Sequence, residues 1–279
     1  MYTLNIMLVD HHKGAMIAYH IVIGDVVTPV MEYFNEKGDD DALYVQRWFI
    51  VTIFSFIFML PLSLLKNMSA LSSTSGLSIT AVLIIVACVC IMAPIESDDV
   101  DKDEPLSFIR AGFFQAIGTM SFAFVCHHNS FIVYNSLENA NTARWKTVSQ
   151  MSVGISVVLS LILSVTAYLC FRDTIESNAL NNFPYDNVVM SVSRILLAVT
   201  MVFTFPMEQF VARHCTMMIL ESVFHRFDTK DIEEQSNKYL TYLYVVTLLL
   251  WGSSLLIGAL ATDLGIGLPL YWWTLWAVY

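Results

Sequence analysis

Residues 113–138 read FFQAIGTMSFAFVCHHNSFIVYNSLE, and within them Ser121–Phe131, SFAFVCHHNSF, sets Cys126, His127, His128 and Asn129 side by side inside an apolar run that begins near Ala111. The reading of that polar knot decides the fold. It is a metal site, a surface loop, or a place where a helix breaks around a solute. Consecutive residues on a helix point in different directions, so the four cannot converge on one metal while helical. A surface loop fails on length: cutting at the knot leaves about 15 apolar residues before it, short of the ~20 that span a bilayer core. The break remains. Gly118, Thr119, Ser121 and Ala123 are small and let a helix unwind. Counted from Ala111, Phe122 lies about 16 Å down, near the midplane of a bilayer.

The rest of the chain supplies the membrane. Of its 279 residues 56% are hydrophobic and 14% charged, with mean hydropathy +0.62. Soluble domains carry about 25% charge. The expected fold is an all-α polytopic membrane protein, one transmembrane domain over 1–279 with about 7–8 transmembrane helices. The spans are 14–33, 48–65, 76–95, 111–136 (broken), 148–171, 187–220, 239–260 and a partial one at 264–279. The sixth is too long for one span and contains Pro206. Met1–Val9 is apolar, but Asp10–Lys13 follows without a small-residue cleavage site, so no signal peptide is expected. The five cysteines (Cys88, Cys90, Cys126, Cys170, Cys215) fall in or at the edge of apolar segments and form neither a disulfide framework nor a CxxC pattern. They read as small hydrophobes.

The net charge is −10, and its placement carries the topology. NEKGDDD, ESDDVDKDEP and RDTIES lie in alternate connections, and Lys66, Arg144, Lys146, Arg213, Arg226, Lys230 and Lys238 lie in the others. The positive-inside rule puts 34–45, 96–109 and 172–186 outside or in a lumen, and 66–75, 137–147 and 214–238 in the cytosol, with a cytosolic N-terminus. The NMS at Asn67 is then a cytosolic, unused glycosylation pattern.

Polar groups inside spans are functional candidates because a stranded charge there is costly. Asp25 and Arg194 lie about 12 and 10 Å below the same outer boundary, which suggests a pair across two helices; separate snorkelling is the plainer alternative. Thr200 and Thr204 share a helix face, about 20 and 26 Å down. They are candidate hard ligands for a cation, or they bond their own i−4 carbonyls. Glu208, near the cytosolic end, reads as a solvated carboxylate beside Arg213. At the knot, unwound backbone is tolerated only where it lines a cavity. The two half-helices would offer a negative and a positive end, which suit the ammonium and carboxylate of an amino acid. Phe122 and Phe124 would flank that cavity.

The stretch 113–138 resembles the sixth transmembrane helix of the amino acid/auxin permease family, in particular its sodium-coupled neutral amino acid transporter branch and the related fungal vacuolar amino acid transporters. IAYHIVIGD, MLPLSLLKN and LAVTMVFTFPMEQFVAR look like that family's third, fourth and eighth helices. The likeness runs from Gly14 to Arg213 and is weaker beyond; DHHK near the start and LPLYWWTLWAVY at the end depart from it. The resemblance implies a five-plus-five inverted repeat whose first and sixth helices are broken and hold the substrate between them. It implies substrate contacts from Gly118, Ser121, Phe122, Ala123, Phe124, Cys126 and His127, and a sodium half-site at Thr200 and Thr204. Helices three and eight are neighbours in that fold, which favours the Asp25–Arg194 pair. Nothing in the chain corresponds to the family's first two or last helices, so the resemblance implies an incomplete transporter, a splice form or an incomplete gene model.

The function expected is secondary active transport of neutral L-amino acids coupled to Na⁺ or H⁺, with no further cofactor, no enzymatic activity and no nucleic-acid partner. The membrane is the plasma membrane or a lysosome- or vacuole-like one. One alternative is a truncated, non-transporting isoform that modulates a full-length sibling. The other is a seven-helix receptor, which the cytosolic N-terminus and the lack of Asp-Arg-Tyr and Asn-Pro-x-x-Tyr signatures oppose.

Overall fold

Helix α1, Tyr2–Phe34, is apolar on nearly every side, and such a helix belongs in the middle of a bundle. In the computed structural model it lies there: α8 (Val188–Phe224) packs along it, and α2 (Arg47–Phe54) and α9 (Ile232–Leu260) pack against other sides. The structure describes residues 2–35, 43–65, 72–97, 113–124, 130–176, 178–224 and 232–261. Among them the elements are all helical. Met16, Ile21, Ile23 and Val26 of α1 are fully buried, with Met190 and Phe205 of α8 and Met59.

The second helical rod runs over Arg47–Ser63. It comprises α2 (Arg47–Phe54), one π-helical turn (Ser55–Met59) and α3 (Leu60–Ser63). Pro61 has no N–H for the carbonyl four residues before it, and the widened turn falls where that bond is lost. Helix α4 (Ser72–Glu96) lies between α8 (Val188–Phe224) and α7 (Thr142–Phe171). Helix α9 (Ile232–Leu260) closes on α1, α2 and α8. The short α5 (Phe113–Ala123) and α6 (Ser130–Ser136) complete the set.

Five of these helices are long and apolar enough to cross a membrane, and Arg47–Ser63 is a shorter apolar one. The chain is thus a polytopic membrane protein. Its expected span at 264–279 lies outside the described residues, as do Asn67 and Lys66. Two expected spans differ in extent. The first begins at Tyr2, not at residue 14, so Asp10–Lys13 is helical. The sixth is one continuous helix of 37 residues with Pro206 inside it, about 55 Å long against a hydrocarbon core of about 30 Å.

Close approach of helices uses glycine twice. A Cβ at Gly258 of α9 would stand 2.4 Å from His20 Cβ on α1, and one at Gly24 would stand 2.7 Å from the guanidinium carbon of Arg47. Gly24 therefore opens the channel through which Arg47 lies down on α1.

Candidate functional site

Three buried polar side chains of α1, His12, His20 and Asp25, meet polar partners on neighbouring elements. At one end His12 Nδ1 meets Glu208 Oε2 at 2.6 Å, just under the ~2.7–2.9 Å usual for charge-assisted N–H···O bonds. His12 is fully buried and Glu208 nearly so. The expectation of a solvated Glu208 beside Arg213 is corrected: its partner is His12. Arg213 instead donates to the carbonyls of Ser63 and Leu65 and to Thr247 Oγ1, tying the end of α3 to α8 and α9. Gln209 Nε2 donates to the carbonyl of Thr247.

Midway along α1, His20 Nδ1 bonds the carbonyl of Met16 at 2.8 Å and Nε2 bonds Ser55 Oγ at 2.9 Å. A carbonyl only accepts, so Nδ1 carries a proton. Trp251 Nε1 donates to the same Ser55 oxygen at 2.8 Å, and the ring of Phe205 meets His20 edge-on. Ser55 opens the π-helical turn. One hydroxyl of the Arg47–Ser63 rod thus joins it to α1 and α9 at a point of irregular backbone.

Toward the other end the expected Asp25–Arg194 pair is not formed. Arg47 Nη1 donates to Asp25 Oδ1, and its Nη2 donates to the carbonyl of Ile21. Arg194 is fully buried and donates to the carbonyls of Leu180 and Phe183 at 2.9 and 2.7 Å, with its guanidinium over Tyr185. Depth along the axis was equal for Asp25 and Arg194, but a pair also needs facing directions and reach. Arg47 sits at a helix end, where depth counting assigns it no burial, yet its long side chain extends back into the bundle.

Thr200 and Thr204 donate to the carbonyls of Leu196 and Thr200 at 2.9 and 2.8 Å, the i−4 bonding that is one of the two alternatives expected for them. Such bonds use the hydroxyl proton and leave the oxygen lone pairs available. Thr200 is buried and Thr204 half-buried.

Helix α5 ends at Ala123, Phe124 follows in a turn, and α6 begins at Ser130. Residues 125–129, with Cys126 and His127, lie outside the described residues, as does the side chain of Phe122. Gly118, Ser121, Ala123 and Phe124 are exposed, and a Cβ at Gly118 would meet nothing within 4 Å. The structure does not bring them together with Thr200 or Thr204 in one described pocket.

Sequence reasoning missed His12, His20, Ser55 and Trp251. For the two histidines a signal existed: His12, Met16, Tyr19 and Ile23 recur at helical spacing, as do Met16, His20 and Ile23. The apparent boundary at residue 14 hid the first of them.

Residues 1–270 match the family described as transmembrane amino acid transporter protein. The match includes the DHHK stretch and Leu268–Leu270, which had been expected to fall outside the likeness. The chain is 32% identical to the human "Putative sodium-coupled neutral amino acid transporter 11" over 76% of its own length and 53% of that protein's. It is 31% identical to "Vacuolar amino acid transporter 2" of Saccharomyces cerevisiae, over 72% of this chain and 42% of that one. It is 25% identical to "Sodium-coupled neutral amino acid transporter 7" of Danio rerio, over 90% and 54%. The chain thus spans about half the length of the curated relatives it matches. No solved structure matches it.

Proposed function

The chain belongs to the transmembrane amino acid transporter protein family, whose members are transporters rather than enzymes, and from that premise we propose that it is the core of a secondary active transporter of neutral L-amino acids, driven by a Na⁺ or H⁺ gradient. The membrane is the plasma membrane or a lysosome- or vacuole-like one, with the N-terminus cytosolic.

One structural observation carries the reading. Within one apolar stretch, α5 stops at Ala123 and α6 starts at Ser130, with Gly118, Ser121 and Ala123 exposed on the last turns of α5. The carbonyl end of a helix at that depth needs polar company. It carries partial negative charge and suits an ammonium group. The hydroxyl oxygens of Thr200, buried, and Thr204, half-buried, supply candidate ligands for a coupling cation.

The test is flux of labelled neutral amino acids into proteoliposomes holding the full-length protein, with an inward Na⁺ or proton gradient imposed. Saturable uptake that requires one gradient is expected. Ser121→Trp should abolish it by filling the solute site, and Thr200→Ala should weaken its dependence on the ion. Equal, non-saturable flux with and without gradients would refute the reading.

A further inference from the structure

The His12–Glu208 contact is a buried imidazole and a nearly buried carboxylate, 2.6 Å apart, joining the two central helices of a membrane protein. The net charge of such a pair depends on how many protons it holds. With one proton beyond the neutral imidazole and the carboxylate, the pair is neutral overall. With none it leaves a net negative charge between α1 and α8, and with two a net positive one. Either charge is costly to keep in an apolar bundle. The neutral state therefore fits the closed contact, and the charged states fit one opened to water.

The surroundings support this accounting. Along α1 the flanking titratable and charged groups are Asp10, His11, Lys13 and Tyr19, and along α8 they are Arg213, His214 and Cys215; on α9, Tyr239 and Tyr244 lie within reach of Arg213 and Tyr242 packs on the core. The His11 ring meets His12 edge-on at 5.8 Å, and Tyr19 lies within reach of the Glu208 charge. Arg213, five residues along α8 from Glu208, donates to the carbonyls of Ser63 and Leu65 and to Thr247 Oγ1. On α2, α3 and α4, among the described residues, the charged groups are Arg47, held by Asp25, and Glu96, held by Asn187, both toward the far end of α8. The side chain of His12 is 0% exposed and that of Glu208 12%, so the carboxylate is the member of the pair that reaches the surface of the bundle.

We propose that His12 and Glu208 form a proton-binding site at the α1–α8 contact, where binding of one proton and closure of the two helices are linked. The ligand is a proton, and no electron moves: the proton arrives from water, is shared between Nδ1 and Oε2, and returns to water when the contact opens. The site stands on the geometry of α1 and α8. Only its use as the coupling step rests on the transport reading.

The experiment is an infrared titration of the full-length protein in lipid between about pH 4 and pH 9, which brackets ordinary carboxyl and imidazole titration. The Glu208 carboxyl band is assigned by its loss in Glu208→Gln. Spin labels on α1 and α8 report the helix separation in the same samples. We expect the band to titrate, the separation to change at the same midpoint, and His12→Gln to move that midpoint by about one pH unit, a tenfold change in proton affinity. Glu208→Asp, which keeps a carboxyl and shortens its reach, should also move the midpoint, and it serves if His12→Gln does not fold. A Glu208 band constant across the range, a midpoint unchanged in both variants, or a helix separation independent of pH would overturn the proposal. None of these readouts needs transport, so this site and the transport reading fail separately.

Discussion

Gly258→Ala on α9 should destabilise the bundle, and the same substitution six residues earlier should not. The new Cβ at 258 would stand 2.4 Å from His20 Cβ and 3.3 Å from the carbonyl oxygen of Ile17, whereas a Cβ at Gly252 meets nothing within 4 Å. Carbon atoms rest about 3.5–4.0 Å apart, so α9 must retreat from α1 by roughly 1 Å. The obstacle is a Cβ and a backbone oxygen on a central helix, neither of which can swing aside. Overpacking of this kind costs about 1–3 kcal/mol. Both substitutions gain the same helix preference of alanine over glycine, about 1 kcal/mol, so the difference between the two variants isolates the clash. Equilibrium unfolding of the purified protein in mixed micelles should place Gly258→Ala about 1–3 kcal/mol below Gly252→Ala. Repeating the pair in a His20→Ala background sharpens the test, since alanine keeps the Cβ and should leave the penalty in place. Equal stability of the two variants would refute the claimed approach of α9 to α1.

Ser55→Ala should cost about 1–3 kcal/mol, because it strands both His20 Nε2 and Trp251 Nε1 in the interior. Ser63→Ala is the control, since that hydroxyl donates to the carbonyl of Met59 within its own helix, and unfolding in the same micelles should show a smaller loss. For Asp25 and Arg47, either alanine variant should lose more stability than the double variant, because a lone charge is left in a partly buried place. Asp25→Ala and Arg194→Ala should add independently; a coupling between those two in a double-mutant cycle would restore the pairing inferred from depth alone.

The membrane class was legible in the sequence because it depends on quantities a chain carries locally: a long apolar run, few charges, and polar residues where hydrocarbon is expected. The end of a helix at Ala123 followed the same way from small residues ahead of the knot, and the kinship from the motifs around it. The i−4 bonding of Thr200 and Thr204 was local too, a bond within one helix. The partners of Asp25, Arg194 and Glu208 were not legible. Each depends on which way a side chain leaves its helix, on how far a long side chain reaches past its own backbone, and on where a neighbouring helix crosses. Gly24 and Gly258 show the same division. A sequence records only that they are glycines, and the crossing of α1 by Arg47 and by α9 decides that no larger residue fits. Axial depth can be counted along one chain, but a buried charge is satisfied by whichever group from another helix arrives at the right distance and direction, and only packing decides that.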